Sequence, residues 1–203
     1  MKKLTTALLA LICIFTLAAC GKTAEKKEFT PGKIEGNVYT SEFAGIKLEA
    51  GSSWTFATET EASEFAAKVD DGYRMTDDGT VYDAILSNDV SGVGARIIIM
   101  YQSITKLSGG KQYSAEEYAD ALTEELESYV GAEFRVDSRE NINFCGAESI
   151  CITLKDDALD IDREEAYIVR EIGDYMLVVN LAFLTSSDTT LDGMLSMFSP
   201  LDA

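Results

Sequence analysis

The chain has 203 residues, 35 Asp and Glu against 17 Lys and Arg, and no histidine, for a formal charge of −18. This field repels polyanions and argues against nucleic acid as a partner. The absence of imidazole removes Ser-His-Asp and Cys-His catalysis and most zinc chemistry.

Met1-Lys2-Lys3 opens the chain, an apolar run covers residues 4–19, and Leu17-Ala18-Ala19-Cys20 closes it. A run of sixteen residues makes a helix of about 24 Å, short of the roughly 20 residues that a spanning helix needs. A basic start, a short apolar stretch and small residues at the end read as a signal segment. The motif resembles a bacterial lipobox. That resemblance implies cleavage between Ala19 and Cys20, diacylglyceryl attachment at the Cys20 thiol, and residence on the outer face of the cytoplasmic membrane, or in the outer membrane if the host has one. Residues 1–19 are therefore expected to be a lipoprotein signal peptide and residues 20–36 a lipidated cysteine with a flexible tether, broken by Pro31-Gly32. Residues 37–203 are expected to form one α+β domain. Removing Lys2, Lys3 and a tether of net +1 leaves −21 on that domain.

Residues 38–49 contain two short alternating segments around Ala44-Gly45, a hairpin pattern. Thr58-Glu59-Thr60-Glu61 has capping-box spacing, and Ala62, Phe65, Ala66 and Val69 continue it as a first helix. Strands follow over residues 81–87 and 93–103. Ile97-Ile98-Ile99-Met100 is apolar on both parities, as is the run around Leu177-Val178-Val179 and Leu181-Ala182-Phe183-Leu184. Such strands need cover on both faces and belong at the centre of a sheet. Ser114-Ala115-Glu116-Glu117 starts a second helix, with Ala115, Tyr118, Ala119, Leu122, Leu126, Tyr129 and Val130 on its apolar stripe and an acidic outer face. Phe134, Val136, Ile142 and Phe144 alternate with polar residues and predict a strand with one wet face. Two further strands turn at Gly173-Asp174, and a closing helix carries Leu191, Met194, Leu195 and Phe198, stopping before Pro200. The order ββ-α-ββ-α-ββββ-α predicts an antiparallel sheet with helices on both faces.

Gly36-Asn37-Val38-Tyr39-Thr40-Ser41, then Ala44-Gly45-Ile46-Lys47-Leu48 and Trp54, resembles the opening of lipoproteins with a PsbP/Mog1-like domain. The resemblance implies an αβα sandwich and an accessory role without agreed chemistry. One departure is Gly51-Ser52-Ser53, where that family often has a proline ahead of the tryptophan.

No catalytic constellation is visible, and no cofactor motif. Gly109-Gly110-Lys111 lacks the glycine and Ser/Thr of a phosphate loop. Cys145 and Cys151 read as two thiols or, given a turn between them, a disulfide. Asp156, Asp157, Asp160 and Asp162 form the densest acidic cluster, a solvated loop with calcium as the alternative. Trp54, Tyr73, Tyr82 and Tyr113 are the aromatic candidates for a ligand or partner surface, against a core role for Trp54. The expected function is a membrane-tethered, non-catalytic binding or accessory module that meets an extracytoplasmic protein. A small solute-binding lipoprotein and a carboxylate-based hydrolase are the alternatives.

Overall fold

The computed structural model describes residues 28–70, 80–88, 94–104, 113–128, 134–156, 163–185 and 187–202. Within them the chain runs β1 (Lys33–Glu35), β2 (Val38–Ser41), β3 (Ile46–Glu49), β4 (Thr55–Phe56), α1 (Glu59–Asp70), β5 (Thr80–Asn88) and β6 (Ala95–Ser103). It continues with α2 (Ala115–Ser128), β7 (Phe134–Phe144), β8 (Ala147–Asp156), β9 (Arg163–Ile172), β10 (Tyr175–Leu184), α3 (Leu191–Leu195) and β11 (Phe198–Pro200). The strands form two antiparallel sheets, ordered β1-β2-β3-β11 and β4-β5-β6-β10-β9-β8-β7.

Local chemistry explains the principal boundaries. At the start of α1 the Thr58 amide donates to Glu61 Oε2 (2.8 Å) and the Glu61 amide donates to Thr58 Oγ1 (3.3 Å). Ser114 and Glu117 repeat the exchange at the start of α2, at 3.1 and 3.2 Å. Each box satisfies two amides that the first helical turn leaves open. Between β7 and β8, Cys145 (φ 52°) and Gly146 (φ 80°) both take positive φ, the condition for a two-residue type I′ hairpin. Cys151 lies four residues along β8 from Ala147, about 13 Å of strand. Both cysteines are accordingly free thiols.

The apolar-on-both-parities strands are central, as their pattern requires: β6 and β10 pair with each other in mid-sheet. One face of this pair carries Ile98, Met100, Met176 and Val178, which pack with Tyr118, Ala119, Leu122 and Leu126 of α2. The other face carries Ile97, Ile99, Leu177, Val179 and Leu181, which pack with Tyr39, Ile46, Leu48 and Phe198 of the small sheet and Met194 of α3. β7, the alternating strand, is a sheet edge.

The architecture corrects the expected αβα sandwich with helices on both faces. The helices α1 and α2 cover one face, and the other is covered mainly by the four-stranded sheet, with the five-residue α3 beside it. Strands buried on both faces demand two covers, and a second sheet meets that demand as well as helices do. The expected closing helix is also shorter. It ends at Leu195, and Phe198 enters β11 opposite Leu48. β1, β4 and β11 have two or three residues each, too few for alternation to register.

Part of the expected tether is folded. Lys33–Glu35 pair with β2, and Phe29 packs among Phe43, Tyr101 and Tyr175 with ring centroids 5.0–5.3 Å away. The Gly32 amide donates to Asp83 Oδ1 and Oδ2 at 3.1 and 2.8 Å. Asp83 reaches this side through a bulge in β5: Tyr82 and Ile85 pack beneath the helices, while Ala84 and Leu86 face the small sheet. The extra residue turns the Asp83 carboxylate inward, where it also accepts from the Tyr39 hydroxyl at 2.6 Å.

A Cβ on Gly32 would stand 2.3 Å from Cε2 of the fully buried Tyr39. Gly32→Ala is therefore expected to destabilise the domain by about 1–3 kcal/mol, the usual cost of overpacking. Urea unfolding measures it, and an unchanged midpoint would contradict the docking of this segment.

Candidate functional site

α1 packs on β5, and α2 packs on β7, β8 and β9. Between the two helices the helix-side face of β6 and β10 forms the floor of a cleft of about 620 Å³, counted out to its open mouth. The register places side chains in rows across this floor. Ile98, Asn180 and Tyr167 stand in one row, and Arg96, Ala182 and Glu165 in the next. Ala182 stands between Arg96 and Glu165 in the second row. Phe65, Leu122 and Leu126 supply apolar walls, Met100 adds to the floor, and Glu125, Tyr82 and Arg163 complete the lining.

The polar groups here are unusual for a sheet centre. Glu165 is 3% exposed and Asn180 is 4% exposed, where an unpaired polar group would cost several kcal/mol. Glu165 is satisfied from three directions. Arg163 pairs with Oε1, while the Tyr167 hydroxyl (2.7 Å) and Asn180 Nδ2 (3.2 Å) donate to Oε2. Across the cleft, the Arg96 guanidinium lies 5.0 Å from the Phe65 ring centroid, a cation–π arrangement. Glu125 is an exposed residue on α2 whose carboxyl is partly desolvated, which raises its pKa.

A second polar group of side chains lies between the sheets. The Tyr39 hydroxyl donates to Asp83, and Ser41 Oγ and Tyr101 OH share a hydrogen bond of 2.9 Å. Burial and neighbouring negative charge push both tyrosines above the usual phenol range. Arg170, 8% exposed, donates to the Phe144 and Ala44 carbonyls and ties the β7–β8 turn to the β2–β3 turn. These bonds link the two sheets. Burial pushes the Cys145 and Cys151 thiols up to about 11, so at neutral pH neither supplies appreciable thiolate.

The aromatic candidates do not converge. Tyr82 lines the cleft, Tyr113 packs against the core beneath the helices, and Trp54 packs half-buried against the core between the sheets. Tyr73 lies outside the described residues, as do Ala19, Cys20, Asp157, Asp160 and Asp162. Asp156 ends β8 in register with Arg163. Among the described residues no cluster of three or more acidic or cysteine side chains is placed to hold a metal ion. Sequence reasoning passed over Asn180 and Glu165. The signal for Asn180 was a lone amide inside the apolar run of a central strand, and Glu165 was hidden among neighbouring acids.

Two outcomes follow from these environments. Glu165→Ala leaves Arg163, Tyr167 and Asn180 without their acceptor. It should cost about 1–3 kcal/mol, less than the 3–5 of a fully buried pair because Arg163 reaches solvent. Chemical denaturation against wild type reads this. The thiols resist ionisation in the folded state, whose pKa of about 11 stands above the ordinary 9.0. Their contribution is complete below pH 9 and is lost as pH rises through about 11. Tm should fall across that interval, and fall less in a Cys145→Ser/Cys151→Ala double variant.

No known family model and no curated protein matches the chain. Among solved structures, the chain is similar to the solution structure of cyanobacterial PsbP (CyanoP) from Synechocystis sp. PCC 6803. The TM-score is 0.48 at 10% identity, over 91% of this chain and 99% of that one. It is also similar to the crystal structure of PA94, a protein of unknown function from Pseudomonas aeruginosa. There the TM-score is 0.34 at 18% identity, over 56% of this chain and 74% of that one. The first is a PsbP protein, the family whose opening hairpin the sequence resembles. Likenesses of this strength assign neither family nor role to the chain.

Proposed function

We propose that the chain is a lipid-tethered extracytoplasmic module that binds and does not catalyse. The observation that carries the binding half is the state of Glu165. Its carboxylate is engaged by Arg163, Tyr167 and Asn180. A general base needs a lone pair aimed at a substrate proton, and a general acid needs a proton to give. A carboxylate held by three internal donors is oriented toward its own protein rather than toward a substrate, and it fixes the floor of the cleft. This speaks against Glu165 as the acid or base of a carboxylate-based hydrolase.

The tethering half rests on the sequence. Leu17-Ala18-Ala19-Cys20 supplies the anchor, and the −21 domain is a poor match for anionic lipid or nucleic acid. A protein projecting from the same membrane surface is the partner that this combination favours. Two or more acyl chains hold durably where one does not, at about 0.8 kcal/mol per buried methylene. The amphipathic cleft favours one second reading, capture of a small solute, since apolar walls with a few convergent polar groups are the common form of a ligand site.

Cys20→Ala is expected to move the protein from the membrane fraction to the medium or the soluble extracytoplasmic fraction. Fractionation and immunoblotting measure this, and unchanged membrane retention would overturn the anchor. The binding half predicts that crosslinking at the membrane yields a discrete conjugate with another envelope protein. Its absence at saturating crosslinker would remove the protein-partner reading.

A further inference from the structure

We infer that the cleft between α1 and α2 docks an extended, basic segment of a partner protein, and that the side-chain amide of Asn180 reads the main chain of that segment. The inference rests on the protein-partner reading of the proposed function and gives it a surface.

The first observation is Asn180 itself. It stands on β10 in the middle of the seven-stranded sheet, is 4% exposed, and lines the cleft. Its Nδ2 donates to Glu165 Oε2 at 3.2 Å. That bond orients the amide, since the flipped group would set its oxygen against the carboxylate. Among the described residues Oδ1 accepts no hydrogen bond, and Nδ2 keeps a second hydrogen. Packing does not ask for an amide here: Met176 and Val178, the preceding residues on this face of β10, are apolar. An acceptor and a donor on one planar group match the N–H and C=O of a peptide unit.

The second observation concerns which peptide such an amide can select. In a helix or a sheet the main-chain groups already bond within their own element. Asn180 can read only a segment whose peptide groups are free, and that segment is extended. Phe65 on α1 and Leu122 and Leu126 on α2 wall the cleft, which seats apolar side chains of the segment on either hand.

The third is charge. The arginines of the lining are occupied within the protein, Arg163 by Glu165 and Arg96 against Phe65. The inference assigns neither to the partner. The walls are acidic on their exposed sides, with Glu59 and Glu64 on α1 and Glu124, Glu125 and Glu127 on α2. Glu125 also lines the cleft. A basic segment complements this rim and the −21 domain around it, and an acidic one is repelled by both.

The test is selection from a displayed library of random dodecapeptides, flanked by carrier protein at both ends, on the full-length protein in detergent micelles. Enriched sequences are then titrated as acetylated, amidated synthetic peptides. Expected are sequences that combine apolar residues with Lys or Arg, bind saturably, and bind more weakly as salt rises. Asn180→Leu, which removes the amide but keeps a similar shape, should weaken them about tenfold. N-methylation at one peptide nitrogen should weaken binding to wild type by a similar factor and leave Asn180→Leu unaffected. A merely structural role for Asn180 would not produce that coupling. Glu125→Lys, at an exposed position, should weaken the same peptides several-fold with Tm close to wild type. It and the N-methyl scan of wild type decide the matter even if Asn180→Leu does not fold.

Enrichment of no sequence, or of acidic ones, overturns the inference. So does affinity that is indifferent to every N-methyl group, or to Glu125→Lys. Equal affinity for the free dipeptide Leu-Lys overturns it as well and would mark capture of a small solute. A crosslinked conjugate at the membrane without any selectable peptide would overturn this inference and leave the protein-partner reading standing.

Discussion

The structure depends on burying β6 and β10 from both sides. Ile97, Ile99, Leu177 and Val179 are essentially inaccessible on one face, as are Met176 and Val178 on the other. Each such side chain contributes roughly 1.5–3 kcal/mol when taken out of water, so neither face can be left wet. Two covers of different kinds meet the requirement. A small sheet lies flat and seals its side. Two helices, seated on β5 and on β7 to β9, cannot seal the strip between them, and the cleft is what the geometry leaves.

Polar side chains are distributed to match. On the sealed side, Tyr39, Ser41, Tyr101 and Asp83 are paired with one another or with the Gly32 amide, and they hold the two sheets and the N-terminal segment in one register. On the open side, Glu165 and Asn180 occupy positions where the central strands would otherwise carry Val or Leu. The first arrangement is explained by docking alone. The second exceeds what packing needs, and a buried carboxylate is retained at a cost that a hydrophobic replacement would avoid.

Much of the fold was legible because it is written in short-range patterns. Thr58-x-x-Glu61 and Ser114-x-x-Glu117 named both helix starts, and the capping bonds form between those side chains. Apolar runs on both parities identified β6 and β10 as central, and alternation marked β7 as a strand with one wet face, which the sheet order places at an edge. The same patterns report that a face is covered without reporting by what, which is why the second sheet was not foreseen. The bulge that turns Asp83 inward depends on pairing with β6 and leaves no mark on β5 alone. The cleft was less legible still. Its members come from α1, α2, β5, β6, β9 and β10, and their proximity arises from register across strands far apart in sequence. The aromatic candidates were chosen by residue type, and type does not say which face of a sheet a side chain occupies: Trp54 and Tyr82 fell on opposite sides.

The docked segment also gives the molecule a near pole and a far pole. Phe29 seats against Tyr101 and Tyr175, so the chain leading back toward Cys20 departs from the end of the sheet where β10 begins. The Arg96, Ala182 and Glu165 row lies seven residues further along β10 from Tyr175, about 23 Å away at strand rise. A coil of eight residues, the length of 20–27, would span about 14–17 Å, short of that distance. A lipid on Cys20 would hold the Tyr175 end toward the bilayer and turn the charged end of the cleft outward. The anchor would then set the direction from which a visitor arrives, in addition to the surface on which the protein resides.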